Sequence, residues 1–400
     1  VPGVSGSDRA ARDAGGLDAE VIVDDGALDA LVPEWDALAV AMAMPLAAPG
    51  WMLAEWRNLR APETVPRVVA VREKGALVGL VPLCTEQPPR GRVDYRLLVG
   101  TTPEISPLAV PGREWEVAAA AAGALAQATP RPDAIALEGL PVATQWPTAL
   151  RQQWPGRLRP VLRTYWVQGR PTVSLAAGSL DAWLAVKSSN FRGQMRRMRR
   201  DFARAGGVSR ASTEETLAAD VASFLRLHLG RWEGRGESSL ADAASQQRLL
   251  EEVGRELLPS GRFRLRMLEL DGEPISAQLF AEAGGEVVYC NGGWDERHAK
   301  LRPAMLGILD ALEECFERGD ARLNLGPGEQ PYKLRFADGS DPVAWSLLLL
   351  PGRRLPLTAA RVAPMIASRE LRDFAKRALD EEQSDRLRAL RGRLTRASDS

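Results

Sequence analysis

Two pairs of strand-like apolar runs, each split by a Gly-containing turn, set the frame of this chain. In the first, Arg67–Val71 (RVVAV) and Leu77–Leu83 (LVGLVPL) flank Glu73–Gly75; in the second, Phe263–Leu270 (FRLRMLEL) and Ile275–Ala281 flank Asp271-Gly272. An Asp-Gly pair between β-rich runs predicts an antiparallel hairpin, and Lys74-Gly75 gives a weaker form of the same signal. After each hairpin the pattern reads strand, helix, strand. These segments are Tyr95–Gly100, Trp115–Ala128 and Ala134–Leu140 in the first half, then Glu286–Cys290, Pro303–Arg318 and Arg322–Leu325 in the second. With helical segments ahead of each hairpin, this order predicts an α/β (α+β) fold: one unit used twice, each a mixed, mostly antiparallel sheet flanked by helices.

Gly and Pro cluster at Val167–Thr172 (VQGRPT), which places the join there. The division expected is a disordered leader over 1–17, one unit over 18–168, a second over 169–352, and a helical tail over 353–400. Pro356–Leu394 carries charges of both signs and reads as a solvated helix packed on one unit.

Asn190–Arg204 (NFRGQMRRMRRDFAR) predicts an amphipathic helix, with Phe191, Met195, Met198 and Phe202 on one face at i, i+4, i+7 and i+11. Arg192, Arg196, Arg199 and Arg200 crowd a neighbouring face. Like charges on adjacent turns repel by roughly a few tenths of a kcal/mol per pair, so this face calls for an anionic counterpart: an acidic protein surface, a phosphorylated donor, or an acidic acceptor.

Tyr289–Phe336 reads strand, Gly-Gly-Trp turn, Pro-initiated helix, short strand, then a Gly-rich turn ending in Tyr332-Lys333. A strand handing over to a helix N-terminus is a common phosphate holder. Pro303 suits the first helical turn, and Lys300 and Arg302 add positive charge. Lys300, Arg302, Ala304, Met305 and Leu306 are therefore the donor-binding candidates. Lys333, held near a turn, is placed to stabilise an oxyanion. Glu329, and less so Asp295, are placed to take a proton from an attacking amine. Asn324 is placed to orient a carbonyl. Trp294 at its turn, Trp232 at a helix end and Tyr289 are candidate walls of an acceptor site, with Arg192 beside them.

Composition narrows the class. Four hundred residues favour two domains, and 45% apolar with 26% charged residues is ordinary for a soluble globular protein. Net charge is zero, so affinity for a polyanion would require a local patch. Three cysteines without paired spacing, Cys84, Cys290 and Cys315, fit a reducing, cytoplasmic compartment. The two histidines, His228 and His298, are too few for a multi-His metal site and read as surface or helix-end residues. No run of eighteen apolar residues occurs, so no membrane span is expected. The first residues are polar and Gly-rich, unlike a secretory signal.

The GGWD turn, the RPxxL helix start, the closing LNLGPGEQPYKLRF and the earlier SSNFRGQMRRMRRDFARAGG resemble the GNAT-type acetyltransferases. Within them the chain resembles the CelD-like branch associated with cellulose biosynthesis, distantly related to the Fem aminoacyltransferases. The resemblance covers about Ser188 to Phe336. It implies two tandem GNAT-like domains, acetyl-CoA or another acyl-CoA as co-substrate, and an amine or hydroxyl acceptor on a small molecule or cell-envelope precursor. It also gives Tyr332 the role of general acid toward the leaving thiolate. The N-terminal unit lacks the Tyr-Lys turn and the arginine stripe and is read as a structural or acceptor-binding half. The usual R/Q-x-x-G-x-G/A pyrophosphate loop is not found; Lys300-Leu301-Arg302-Pro303-Ala304-Met305-Leu306-Gly307 stands in its place. Two other readings follow. In one, a Fem-like transferase takes its group from aminoacyl-tRNA, with the arginine stripe on tRNA phosphates; Thr213–Leu258 has room only for an ordinary pair of helices, not the long hairpin typical of those enzymes. In the other, a degenerate GNAT unit binds without catalysis in polysaccharide synthesis. The acceptor stays open among an amino sugar, an amino acid, a polyamine and a lipid-linked precursor.

Overall fold

In the computed structural model, which describes residues 9–10, 16–86, 91–98, 105–230 and 242–368, the chain forms three sheets. The first half contributes β1 (Leu17–Ile22), α1 (Val32–Ala41), α2 (Pro49–Leu59), β2 (Val68–Glu73), β3 (Ala76–Val81), β4 (Leu83–Glu86) and β5 (Asp94–Leu97). It continues with α3 (Glu114–Gln127), β6 (Ala134–Pro141) and β7 (Val161–Gln168). The hairpin β2–β3 turns at Lys74-Gly75, both at positive φ (49° and 90°), the geometry that matches strand twist in a two-residue turn. Pro82, which has no N–H to donate, separates β3 from β4 and splits the half into two sheets. One runs Arg9–Ala10, β1, β2, β3, Leu108–Ala109; in the other, β4 and β5 pair and α3 crosses over to set β6 parallel to β5. Within the segment read as a leader, Arg9–Ala10 thus pairs with β1, which itself begins at Leu17.

The second half contributes β8 (Pro171–Ser174), α4 (Leu180–Ala185), α5 (Ser189–Arg204), β9 (Val208–Ala211), α6 (Leu217–Gly230) and α7 (Ala243–Leu257). Then come β10 (Phe263–Leu270), β11 (Glu273–Ala283), β12 (Glu286–Trp294), α8 (Pro303–Arg318), β13 (Arg322–Asn324), α9 (Pro331–Phe336) and β14 (Val343–Leu349). Its seven-stranded sheet runs β9, β10, β11, β12, β13, β8, Gly339–Ser340. Asp271-Gly272 turns the β10–β11 hairpin at φ 51° and 80°. Helix α8 crosses over so that β13 lies parallel to β12, repeating the arrangement of β5, α3 and β6.

β14 lies beyond the join in sequence, yet it inserts between β6 and β7 in the first half's sheet. The chain so returns to the half it left. One core takes residues from both halves, packing α2 and α3 with α6, α7 and the Val288 face of the second sheet. A second core lies on that sheet's other face, under α4, α5, α8 and α9. Residues 355–368 are helical and lay Leu355, Ala359 and Val362 on Tyr165, Leu347 and Leu349. No helix among the described residues is long and apolar enough to cross a membrane.

The Gly-Gly-Trp segment is strand, not turn. Gly292, Gly293 and Trp294 pair with Gln278, Ala277 and Ser276, and β12 ends only at Trp294. Gly293 is glycine because α6 crosses there: a Cβ on it would stand 2.3 Å from the His228 backbone nitrogen. His228, expected at a surface or helix end, is consequently buried, its Nδ1 3.2 Å from the Gly292 carbonyl.

Candidate active site

The site begins where two parallel strands part. β12 and β13 are paired over three rungs, Glu286↔Arg322, Val287↔Leu323 and Val288↔Asn324. Beyond Val288, β12 runs on for six residues with no ladder partner on that side among the described residues. A bulge at Cys290, where Leu279 faces Asn291 and Phe280 faces Tyr289, bends the strand at the same place. The chain after β13 turns back through Gly326 (φ 72°), where a Cβ would meet the Tyr289 carbonyl oxygen at 2.9 Å.

Lys333 holds this turn. It sits in the short helix α9, is 5% exposed, and its Nζ donates to the carbonyls of Gly326 (3.3 Å) and Pro327 (3.0 Å). The expectation of a lysine held near a turn and not buried in a regular element is corrected: its ammonium pins the Gly-rich loop and lies 5.7 Å from the Tyr289 ring centroid. Asn324 is fully buried and its Oδ1 accepts from Gly326 N at 2.9 Å, so it shapes the loop from inside. Tyr289 packs on Phe280, and its hydroxyl lies over Gly292, where a Cβ would come within 2.3 Å of it. Tyr332 is half-buried against the second core. Glu329 is exposed and lies against Gly169 at the join between the halves. Trp294 closes β12, half-buried. Asp295 is a cap: its Oδ1 accepts from Arg297 N, and the hydrogen bonds from Arg297 hold its carboxyl below the usual carboxylate range. Trp232 lies outside the described residues.

A second feature opens beside the head of α8. A cleft of about 600 Å³ runs between α5 and the 3₁₀ turn Glu296–Leu301, lined by Asn190, Gln194, Arg197, Asp201, Lys300 and Arg302 among others. Ser188 starts α5 by accepting from Phe191 N, and burial of Phe191, Met195, Met198 and Phe202 orients it. The face one residue behind that apolar stripe, Asn190, Gln194, Arg197 and Asp201, therefore looks into the cleft.

The arginine stripe divides. Arg199 pairs with Glu313 (2.7 Å) and Asp310 (3.3 Å) of α8, an acidic face of the protein itself. Arg192, expected to face the site, instead donates to the carbonyls of Ala185 (2.9 Å) and Lys187 (2.6 Å), tying off the end of α4. Arg196 and Arg200 are exposed. Arg197, outside that stripe and passed over by sequence reasoning, is the arginine that α5 brings to the cleft.

The head of α8 also differs from expectation. Arg302 occupies the left-handed region (φ 53°, ψ 52°) and its carbonyl accepts from both Met305 N and Leu306 N. Pro303 has no N–H, so the first turn offers a ligand at most the Ala304 N–H. Leu306 is buried in the second core and Met305 packs against it, so these two candidates hold the helix rather than a donor. The positive charge at this opening comes from the side chains of Lys300, Arg302 and Arg197. Gly307 stands five residues after Arg302, the spacing of the first and last signature positions, with Met305 where the middle glycine would be. A Cβ on Gly307 would come within 1.7 Å of Gln278 Oε1, so this glycine lets helix and sheet approach.

On the sheet's other face, Glu286 and Arg322 of the first rung form an ion pair at 2.7 Å. Burial pushes the Glu286 carboxyl above its ordinary value of 4.5, against the pull of Arg322. The folded protein then binds the proton more tightly than the unfolded chain, so stability contributed by this group falls as pH rises from about 4.5 through the native value and is level beyond it. Denaturant midpoints measured from pH 4 to 7 are expected to show wild type losing stability relative to Glu286→Gln over that window. A relative gain with pH would contradict the burial.

The comparisons agree with this architecture. Residues 189–334 match the family model of the acetyltransferase (GNAT) domain. That stretch, matched as a GNAT acetyltransferase domain, holds both the parting strands and the cleft. No curated protein matches in sequence. In fold, the chain is similar to FemX, at 14% identity over 80% of this chain and 96% of that one, with a TM-score of 0.54. It is also similar to the C-terminal domain of a protein described as a lysylphosphatidylglycerol synthetase from Agrobacterium fabrum, at 12% identity over 84% and 96%, with a TM-score of 0.51. L-PGS from Bacillus licheniformis aligns at 13% identity over 86% and 97%, with a TM-score of 0.50. Each likeness spans both halves.

Proposed function

We propose that the protein is an N-acyltransferase that moves an acetyl or other acyl group from a CoA-type thioester to an amine of a small molecule or envelope precursor. The cleft at the head of α8, with Arg197, Lys300 and Arg302 around one opening, is the observation that carries this reading. Three cationic side chains suit the phosphates of a nucleotide-bearing donor. Bound there, the donor would supply an activated carbonyl at its thioester end. In this reading the thioester carbonyl lies beside the segment of β12 beyond its last rung, where charge develops on its oxygen. Lys333 and Asn324 act as positioning residues by fixing the Gly326 loop. Tyr332 is the phenol assigned to protonate the leaving sulfur, and Tyr289 lines the site beside the Gly326 loop. In balance, the amine nitrogen forms the new N–C bond, the C–S bond breaks, one proton leaves the nitrogen and one reaches the thiolate. Glu329 is a poor fit for the base, because its carboxylate lies at the join.

The narrower placement in the CelD-like branch is supported by the GGWD, RPxxL and LNLGPGEQPYKLRF segments. The three cysteines are free, with Cys84 and Cys315 buried, which suits a cytoplasmic protein. The units over 18–168 and 169–352 serve, in this reading, as acceptor-binding and donor-binding halves.

A second reading, transfer from aminoacyl-tRNA, is favoured by the likeness to FemX across both halves and by the exposed Arg196 and Arg200. Calorimetric titrations with acetyl-CoA and with charged and uncharged tRNA separate the two. Saturable acetyl-CoA binding is expected. Binding to charged tRNA alone, falling steeply with salt, would replace the first reading by the second.

A further inference from the structure

We propose that the cavity between the two halves is the acceptor pocket, and that it takes a primary amine carried on an apolar, ring-sized body. This rests on the acyltransferase reading above and adds the substrate class. The cavity measures about 480 Å³, within the ordinary range for small-molecule sites. One wall comes from the first half, the turn Met42–Leu46 after α1 and the residues Pro141–Ala143 at the end of β6. The floor comes from the second half, along the rungs Glu286↔Arg322 and Val288↔Asn324.

Its position suits an acceptor. Val287 and Leu323 point into the core under α5 and α8, so their neighbours Val288 and Asn324 face the opposite side. The floor ends at the last rung before β12 and β13 part. A donor entering from the α8 side and an amine lying on this floor would meet in the gap from opposite faces.

Its chemistry selects the class. Met42, Met44, Leu46 and Val142 make apolar walls, while charge is confined to the floor and rim at Glu286, Arg322, Asp341 and Arg170. These charges sum to zero, and Arg322 already binds both Glu286 and Asp341. The carboxylates of Glu286 and Asp341 give the floor and rim acceptors for an ammonium or amine N–H. Burial makes Glu286 readier to take a proton than a surface glutamate. An amino sugar would press its hydroxyls against methionine and leucine without partners, and a polyamine would bury a second charge there. The apolar wall is also held in place at some cost. Ala43 sits at φ 52°, and Trp35 Nε1 donates to Ala47 O at 2.7 Å to fix the turn.

The test uses the full chain, acetyl-CoA as donor, and tryptamine, glucosamine and spermidine as acceptors, with release of free thiol as the readout. Tryptamine is expected to give the fastest release by about tenfold or more. Ala143→Trp, at the exposed rim, is expected to raise the KM for tryptamine by about the same factor while acetyl-CoA affinity stays put. Val142→Trp is the second rim variant if the first fails to fold. Preference for glucosamine or spermidine, or tryptamine turnover indifferent to both rim variants, overturns the proposal. Calorimetric binding of tryptamine alone keeps the two readings apart. Tryptamine binding lost in Ala143→Trp supports the pocket even where acetyl-CoA fails to bind and the acyltransferase reading falls, and absence of tryptamine binding overturns the pocket even where acetyl-CoA binds.

Discussion

Replacing Arg197 and Arg302 together by alanine is expected to weaken acetyl-CoA binding by about a hundredfold while the fold stays intact. Both side chains are exposed and line the same cleft from α5 and from the head of α8. A hydrogen bond to a charged group contributes about 1.5–3 kcal/mol; solvent screening puts these two at the lower end. Two such losses multiply to about a hundredfold. Because Met305 N and Leu306 N are taken up by the Arg302 carbonyl, the double variant leaves Lys300 as the one cation of the three around the opening. Arg302→Gly sharpens the experiment. Glycine accepts φ 53° without the penalty a Cβ brings, so this variant should lose affinity with no loss of stability. Calorimetry at two salt concentrations, beside a thermal melt, checks both. Undiminished binding by the double variant would remove the cleft from the donor site.

Asp320→Ala is expected to cost about 3–5 kcal/mol of stability, the usual result of stranding one partner of a buried ion pair. Arg264 on β10 grips Asp320 with both guanidinium nitrogens, at 2.5 and 3.1 Å, and the two side chains are 7% and 6% exposed. Asp320 stands in the turn between α8 and β13, just after Gly319 caps the helix at φ 72°. The pair thus fixes the end of α8 and the start of β13, and through them the rungs that border the gap. Denaturant unfolding should show the loss for Asp320→Ala and recovery of much of it when Arg264→Met is added, since removing both charges leaves none unpaired. A single-variant loss below about 1 kcal/mol would mean that Arg264 finds water instead.

Much of the second half was legible in the sequence because its signals are local. Asp271-Gly272 is a hairpin turn on any backbone that twists as strands do. Pro303 and Gly319 bracket α8 as first-turn proline and C-terminal glycine, and the stripe from Phe191 to Phe202 is buried as its spacing demanded. The candidate site was legible only in part. Lys300 and Arg302 do line a cleft, and Tyr289, Asn324 and Lys333 do gather around one Gly-rich loop. Their individual tasks were misjudged wherever a distant segment sets them. Gly292 and Gly293 looked like a turn, and are glycines because Tyr289 folds over one and α6 presses on the other. Lys333 looked like a turn residue, and is buried because its ammonium finds two carbonyls.

The sequence by itself determined the alternation of strands and helices, the repeated unit, and the helix that puts positive charge at its head. Those follow from side-chain periodicity and turn stereochemistry, which act over a few residues. Only the tertiary structure decided which arginine faces the cleft, that β14 returns to the first half's sheet, and that the halves enclose a cavity over the parting strands. Those depend on contacts between residues a hundred or more apart, where the neighbour that satisfies a charge or excludes a Cβ is fixed by packing and leaves no periodic mark in the chain.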